Sequence, residues 1–230
     1  LEKTDFEDLF ERALQLKKRH AQGIHDRMLT GKSLGLIFDK KSTRTRIAFE
    51  TAMIQLGGHP IYMSTQDTQI SRNEPAEDTA RVLSRYIDCL AMRTFDHALV
   101  ETFAAASSIP VINALTDWFH PCQILSDIMT IIEHKGGYQN VKIAWVGDGN
   151  NVANSWVNAA SVLGLNLMVA CPENHMVTQQ IINASGADAM DHIRFTTDPK
   201  EAVKHADVVY TDVWASMGEE DELENRLAAF

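Results

Sequence analysis

Short apolar runs alternate with amphipathic stretches along most of this 230-residue chain, and that alternation constrains its fold more than any other feature. Runs at 34–38, 60–63, 89–92 and 111–114 read as strands. Between them the 3.6-residue period predicts helices over 42–56, 76–86 and 100–106. An amphipathic helix with Asp5 as its cap is expected to open the chain. A longer helix over 122–134, opened by Pro121 and closed by Gly136-Gly137, ends the first series. The rhythm then restarts, with strands at 141–146, 167–170 and 208–212 and helices at 152–163, 177–184 and 201–206. Strands alternating with helices form parallel sheets. The expected fold is therefore α/β, with two lobes, each a parallel sheet covered by helices on both faces. The lobes divide as 1–134 and 135–230, and the second, with three clear strands, reads as incomplete at Phe230.

The stretch from Ser33 to Gly58, SLGLIFDKKSTRTRIAFETAMIQLGG, joins the first strand to a helix. Its turn delivers Ser42, Thr43, Arg44, Thr45 and Arg46 to the helix N-terminus. Ile47, Phe49, Ala52, Met53 and Leu56 are expected on an inward stripe. Free backbone N–H groups, the positive end of the helix dipole, hydroxyls and guanidinium forks together suit a phosphate. Ser42 or Thr43 also suits the role of helix cap.

A formal charge of −10 offers no basic face for nucleic acid, yet leaves room for a local anion cluster. With 45% apolar and 23% charged residues the composition is that of an ordinary globular chain. No apolar run is long enough to cross a membrane, and no signal-peptide core opens the sequence. The cysteines, Cys89, Cys122 and Cys171, lack metal-ligand spacing and read as reduced packing residues of a cytoplasmic protein. No metal and no organic cofactor is expected.

Ligands of open α/β sheets bind beyond the carboxyl ends of the strands. The polar residues expected there are Ser42 to Arg46, then Arg93, then His120 and Gln123 around Pro121. In the second lobe they are Asp148, Asn150 and Asn151, then Asp212, Ser216 and Met217. A helix start beside His120 disfavours its imidazolium form, so a neutral ring could donate one N–H to a carbonyl oxygen. Arg46 with Glu50, and Asp78 with Arg81 and Arg85, fall at spacings that suit salt-bridged helix faces. Gly147 and Gly149 of GDGNN fit the start of the dinucleotide fingerprint, but Val152 stands where glycine or alanine belongs. No carboxylate ends the next strand to grip a ribose, so a nicotinamide enzyme is disfavoured.

FDKKSTRTR, MRTF, FHPCQ, GDGNN and DVWASMG follow one another from residue 38 to residue 218. In these motifs the chain resembles the ornithine carbamoyltransferases, within the wider aspartate/ornithine carbamoyltransferase family. The resemblance implies a carbamoyl phosphate-binding domain over 1–134 and an ornithine-binding domain over 135–230. It implies that Ser42, Thr43, Arg44 and Thr45 hold the phosphate, and that Arg93, His120 and Gln123 hold the carbamoyl end. Arg93, His120 and Thr45 would act on the reacting carbonyl. Gln69 matches a position that reaches a neighbouring subunit's site, hence a homotrimer. Asn151, Asp212, Ser216 and Met217 match the positions that grip ornithine.

The resemblance further implies carbamoyl transfer to the δ-amine of ornithine, giving citrulline and phosphate in arginine biosynthesis. Family members continue past Phe230 through a His-Cys-Leu-Pro motif, a further arginine and closing helices. Alternatives are another acceptor, putrescine or aspartate, or a non-catalytic anion-binding scaffold subunit. Aspartate is disfavoured because the carboxylate of Asp212 would repel a second acidic group.

Overall fold

A computed structural model describes residues 1–40, 42–64, 74–213 and 226. The chain divides into two compact units, Asp8–Cys122 and Leu1–Glu7 with Gln123–Phe230. Each contains one four-stranded sheet in which every strand pairing is parallel.

The first unit runs from α1 (Lys3–Ala21) through β1 (Ser33–Phe38), α2 (Thr43–Gln55), β2 (His59–Ser64) and α3 (Ala76–Leu83). It continues through β3 (Cys89–Arg93), α4 (His97–Ala106) and β4 (Val111–Leu115). The sheet order is β2-β1-β3-β4. The direction of winding therefore reverses between β1 and β3, which lie side by side with Phe38 opposite Arg93. Alternate residues of the central strands face opposite ways, so both sheet faces need cover. Ile37, Leu90 and Met92 pack with Ala80 of α3 and with Val100 and Phe103 of α4. Leu36, Phe38 and Ala91 pack with Met53 of α2.

The inward stripe of α2 is narrower than the sequence suggests. Met53 is buried, Phe49 packs beside it at the i−4 position and Leu56 is half-buried, but Ala52 is exposed and Ile47 is 55% exposed. Ile47 lies two residues from Phe49, about 200° around the helix, and so points away from the sheet. At the start of the chain α1 begins at Lys3, and the Asp5 carboxylate accepts from the backbone N–H of Glu2 within the first turn. α4 begins at His97, earlier than its apolar run, because Asp96 caps it by accepting from the Ala98 N–H at 2.9 Å.

The second unit runs through α5 (Pro121–Lys135), β5 (Lys142–Val146), α6 (Asn151–Leu163), β6 (Asn166–Ala170), α7 (Gln179–Ala184), β7 (Ile193–Thr196), α8 (Pro199–Val203) and β8 (Val208–Tyr210). Its sheet order is β7-β6-β5-β8, so the reversal falls between β5 and β8. α6 packs on β6 and β7, and α8 on β5, β6 and β7. Trp145 of β5 and Trp156 of α6 are fully buried.

Strand β7 is absent from the sequence reading. It pairs only with β6 and alternates buried Ile193 with exposed Arg194, so it shows no continuous apolar run. Two further differences concern boundaries: α7 starts at Gln179, and β8 ends at Tyr210, which leaves Asp212 two residues beyond the strand. No helix among the described residues is long and apolar enough to cross a membrane.

Candidate active site

Where β1 gives way to α2, Ser42 is extended (φ −156°, ψ 116°) and caps the helix. Its hydroxyl oxygen accepts from the Thr45 N–H at 3.3 Å. The N–H groups of Thr43 and Arg44 precede the first intrahelical bonds and remain free to donate. Ser42 therefore serves as cap while its own hydroxyl proton stays available. Arg46 has other partners: it bonds Glu50 at 2.8 Å and lies over the Tyr62 ring, in line with the helix-face reading. Asp78 and Arg81 likewise pair, at 2.8 Å.

Arg93 ends β3, directly beside the end of β1. Its Nη1 donates to the Thr45 hydroxyl at 3.3 Å, although the residue is only 5% exposed. Its Nε is buried without a hydrogen-bond acceptor. Burial, and then the nearby Arg44 guanidinium, push the Arg93 pKa down. Among the described residues neither Arg44 nor Arg93 forms an ion pair with a carboxylate. Two uncompensated cations thus meet at a helix N-terminus, where the dipole adds further positive potential.

His120 follows β4 and immediately precedes α5. Its pKa is pushed down to about 4, first by burial and then by the charge on Arg93. The ring is therefore neutral near pH 7, the state the sequence predicts. The leading causes are desolvation and Arg93, however, where the sequence pointed to the helix dipole.

In the second unit, the turn after β5 holds Asn150 as the cap of α6. Its carboxamide oxygen accepts from the N–H groups of Val152 (2.9 Å) and Ala153 (3.2 Å), and its Nδ2 reaches Asp212 Oδ2 at 3.5 Å. Asn151 opens α6, half-buried. Asp148 turns away from this group to bond Arg226 at 2.8 Å, with His175 at 3.5 Å from its other oxygen. A Cβ on Gly149 would come within 2.6 Å of the backbone from His175 to Val177. The glycine that resembles a nucleotide fingerprint is thus required for a close approach between two loops of this chain.

Gln123, on the first turn of α5, donates its Nε2–H to Asp127 Oδ1 at 2.9 Å. Burial is the main cause of a raised Asp127 pKa, with Asp212 adding to it and Gln123 and the Tyr210 hydroxyl opposing it. Ser42, Thr43, Arg44, Thr45, Arg93 and His120 all belong to the first unit, at the ends of β1, β3 and β4. Gln123, Asn151 and Asp212 belong to the second. Gln69, Ser216 and Met217 lie outside the described residues.

The sequence matches the family model described as "Aspartate/ornithine carbamoyltransferase, carbamoyl-P binding domain" over residues 1–133. Residues 139–230 match the companion model, "Aspartate/ornithine carbamoyltransferase, Asp/Orn binding domain". The chain belongs to the aspartate/ornithine carbamoyltransferase family. Among its relatives, the ornithine carbamoyltransferase of Geobacter sulfurreducens is 52% identical over 228 residues, 99% of this chain and 75% of that protein. That of Syntrophus aciditrophicus is 53% identical over 230 residues, 100% of this chain and 76% of that protein. The solved ornithine carbamoyltransferase of Pyrococcus furiosus superposes with a TM-score of 0.94 at 46% identity, covering 100% of this chain and 74% of that one.

Within this carbamoyltransferase, residues to which the sequence reading gave no role support the two sheet ends. Lys40 is buried, pairs with Asp117 and lies 4.4 Å from the centre of the Phe95 ring. Thr94 donates to Asp39 at 2.8 Å, which ties the end of β3 to the turn after β1. Asp127 was also missed. Its one legible signal was the i,i+4 spacing from Gln123, which is shared by many ordinary helix pairs.

Proposed function

We propose that this chain moves the carbamoyl group of carbamoyl phosphate to the δ-amine of L-ornithine, releasing L-citrulline and phosphate in arginine biosynthesis. The observation that carries the reading is Arg93: a buried guanidinium with no carboxylate partner and no acceptor for its Nε among the described residues, beside Arg44 and the α2 N-terminus. A buried charge without compensation costs several kcal/mol, on the order of 3–5. A dianionic ligand removes that cost. Family membership supplies the ligand's identity, and the Geobacter sulfurreducens and Syntrophus aciditrophicus relatives are named ornithine carbamoyltransferases.

In this reading residues 1–134 are the carbamoyl phosphate-binding domain and residues 135–230 the ornithine-binding domain. Ser42, Thr43, Arg44 and Thr45 hold the phosphate, and Arg93, His120 and Gln123 hold the carbamoyl end. The neutral δ-amine attacks the carbamoyl carbon, so an N–C bond forms and the carbonyl oxygen becomes an oxyanion. Arg93, neutral His120 and the Thr45 hydroxyl donate to that oxygen, each contributing about 3 kcal/mol in comparable sites. The C–O bond to phosphate then breaks. Its electron pair leaves with the phosphate, which takes up the proton released by the amine, while Arg44 balances the growing charge. Holding both substrates in line supplies about 7–11 kcal/mol of the barrier.

Asp212 pairs with the α-ammonium of ornithine, and Asn151, Ser216 and Met217 complete its site. The protein works in the cytoplasm as a homotrimer, with Gln69 reaching the neighbouring subunit's site. Light scattering on the full-length protein tests the assembly.

Citrulline formation from carbamoyl phosphate and L-ornithine by the full-length protein, with Arg44→Ala beside it, tests the activity. Turnover by the parent and its loss in the variant would support both the reaction and the phosphate site. Binding of carbamoyl phosphate with no citrulline formed would overturn the assignment, in favour of another amine acceptor or a scaffold subunit.

A further inference from the structure

Gln123 carries a carboxamide, which has an oxygen face and a nitrogen face that are nearly equal in shape but opposite in hydrogen-bonding sense. Which face meets a ligand depends on what holds the other. Here the Nε2–H donates to Asp127 Oδ1 at 2.9 Å, one turn further along α5. An ionised carboxylate accepts and cannot donate, so it selects the nitrogen and turns Oε1 away from itself. We propose that Asp127 is a positioning residue, fixing the Gln123 carboxamide so that its oxygen, and not its nitrogen, is presented to the N–H groups of the carbamoyl group. The inference rests on the proposed role of Gln123 at the carbamoyl end.

Two further features show that Asp127 is itself held. Its Oδ2 is buried without a hydrogen bond of ordinary geometry, so the carboxylate is not a solvated surface group. The Tyr210 hydroxyl interacts with both Asp127 and Gln123. That tyrosine has little freedom: its ring stacks on Trp145 at 5.4 Å and meets Trp156 edge-on at 5.7 Å, and both indoles are fully buried. Asp212 also acts on Asp127 by charge repulsion, and is approached by Asn150 Nδ2. Asp127 therefore lies between a residue assigned to the carbamoyl group and one assigned to ornithine, and it accepts directly from Gln123.

Asp127→Asn, Gln123→Ala and the double variant, made in the full-length enzyme, test the inference. Asparagine keeps the volume but offers Gln123 either a donor or an acceptor, which releases the choice of face. The KM for carbamoyl phosphate of Asp127→Asn is expected to rise about ten- to hundredfold, the range for losing a hydrogen bond to a charged group. The double variant should be no worse than Gln123→Ala alone, because the two act as one unit. The nitrogen-15 side-chain amide signal of Gln123 should move in Asp127→Asn, while the melting temperature stays close to that of the parent.

An unmoved Gln123 signal would overturn the inference whether or not the protein turns over. Effects that multiply in the double variant, or a loss confined to the KM for ornithine, would also overturn it. A parent protein that makes no citrulline, yet shows the Gln123 signal moving in Asp127→Asn, would count against the functional reading and for the positioning.

Discussion

Arg93 at the end of β3 donates to the hydroxyl of Thr45 in the first turn of α2, across 3.3 Å. That bond ties the two strands flanking the reversal of the first sheet to a single polar cluster. Among the described residues it also leaves most of the guanidinium's donors free, one of them buried.

The first prediction follows from this uncompensated charge. Arg93→Met should lower kcat/KM by about 10²-fold or more, because a donor to the reacting oxygen is lost. The same variant should be more stable than the parent without ligand, since an unpaired buried cation is replaced by apolar packing. Steady-state kinetics check the first half, and urea unfolding with and without carbamoyl phosphate the second: the parent should be stabilised by the ligand and the variant hardly at all.

Neutral His120 gives the second. Its pKa in the folded protein is about 4, below the 6.5 of the free side chain, so between these values the unfolded chain binds the proton more readily. The contribution of this group is fully present above pH 6.5 and is lost as the pH falls through 4. Unfolding free energies measured from pH 4 to 7 should rise more steeply for the parent than for His120→Gln. An NMR titration of the ring should find its midpoint near 4. A midpoint near 6.5 would count against the neutral donor.

Gly149 gives the third. Its Cβ-free approach to the loop backbone from His175 to Val177 leaves no room for a methyl group. Gly149→Ala should cost about 1–3 kcal/mol of unfolding free energy, as overpacking does elsewhere. It should also weaken ornithine binding by shifting the turn that carries Asn150 and Asn151. Chemical denaturation and the KM for ornithine measure the two effects.

The fourth concerns the thiols. Burial pushes the Cys122 pKa up to about 11 and that of Cys171 up to about 12, and Cys89 is raised for the same reason. The thiolate is the reactive form, so all three should resist a disulfide reagent at pH 8 in the folded protein and react after unfolding. Rapid labelling of native Cys122 or Cys171 would contradict this.

Much of the architecture was legible because buried parallel strands such as 34–38 and 143–146 are continuous apolar runs between glycines and caps. Strand β7 escaped because an edge strand needs only alternate burial, and Ile193-Arg194-Phe195-Thr196 carries too few residues to reveal a period of two. The outward turn of Ile47 also escaped, since an apolar residue on a helix does not declare which side of a stripe it occupies. Among the candidate site residues, Arg93 and His120 were legible by their place after strands, where the fold puts them. Lys40 and Asp127 were not, because their roles depend on partners that only folding brings near, Asp117 and Phe95 for the one and Tyr210 for the other.

The two sheets reverse their winding at different places, β1 with β3 and β5 with β8, and the candidate site residues follow β1, β3 and β4 in one unit and β5 and β8 in the other. In the proposed assignment, recognition of the group being given away and of the molecule receiving it is written into separate, non-overlapping stretches of sequence. Under that assignment, substitutions beyond β5 and β8 would retarget the acceptor amine without disturbing the hydroxyls and arginines beyond β1 and β3. One ancestral donor site could in this way pass unchanged into enzymes that make different products, with selection acting on a few loop positions in the second half of the chain.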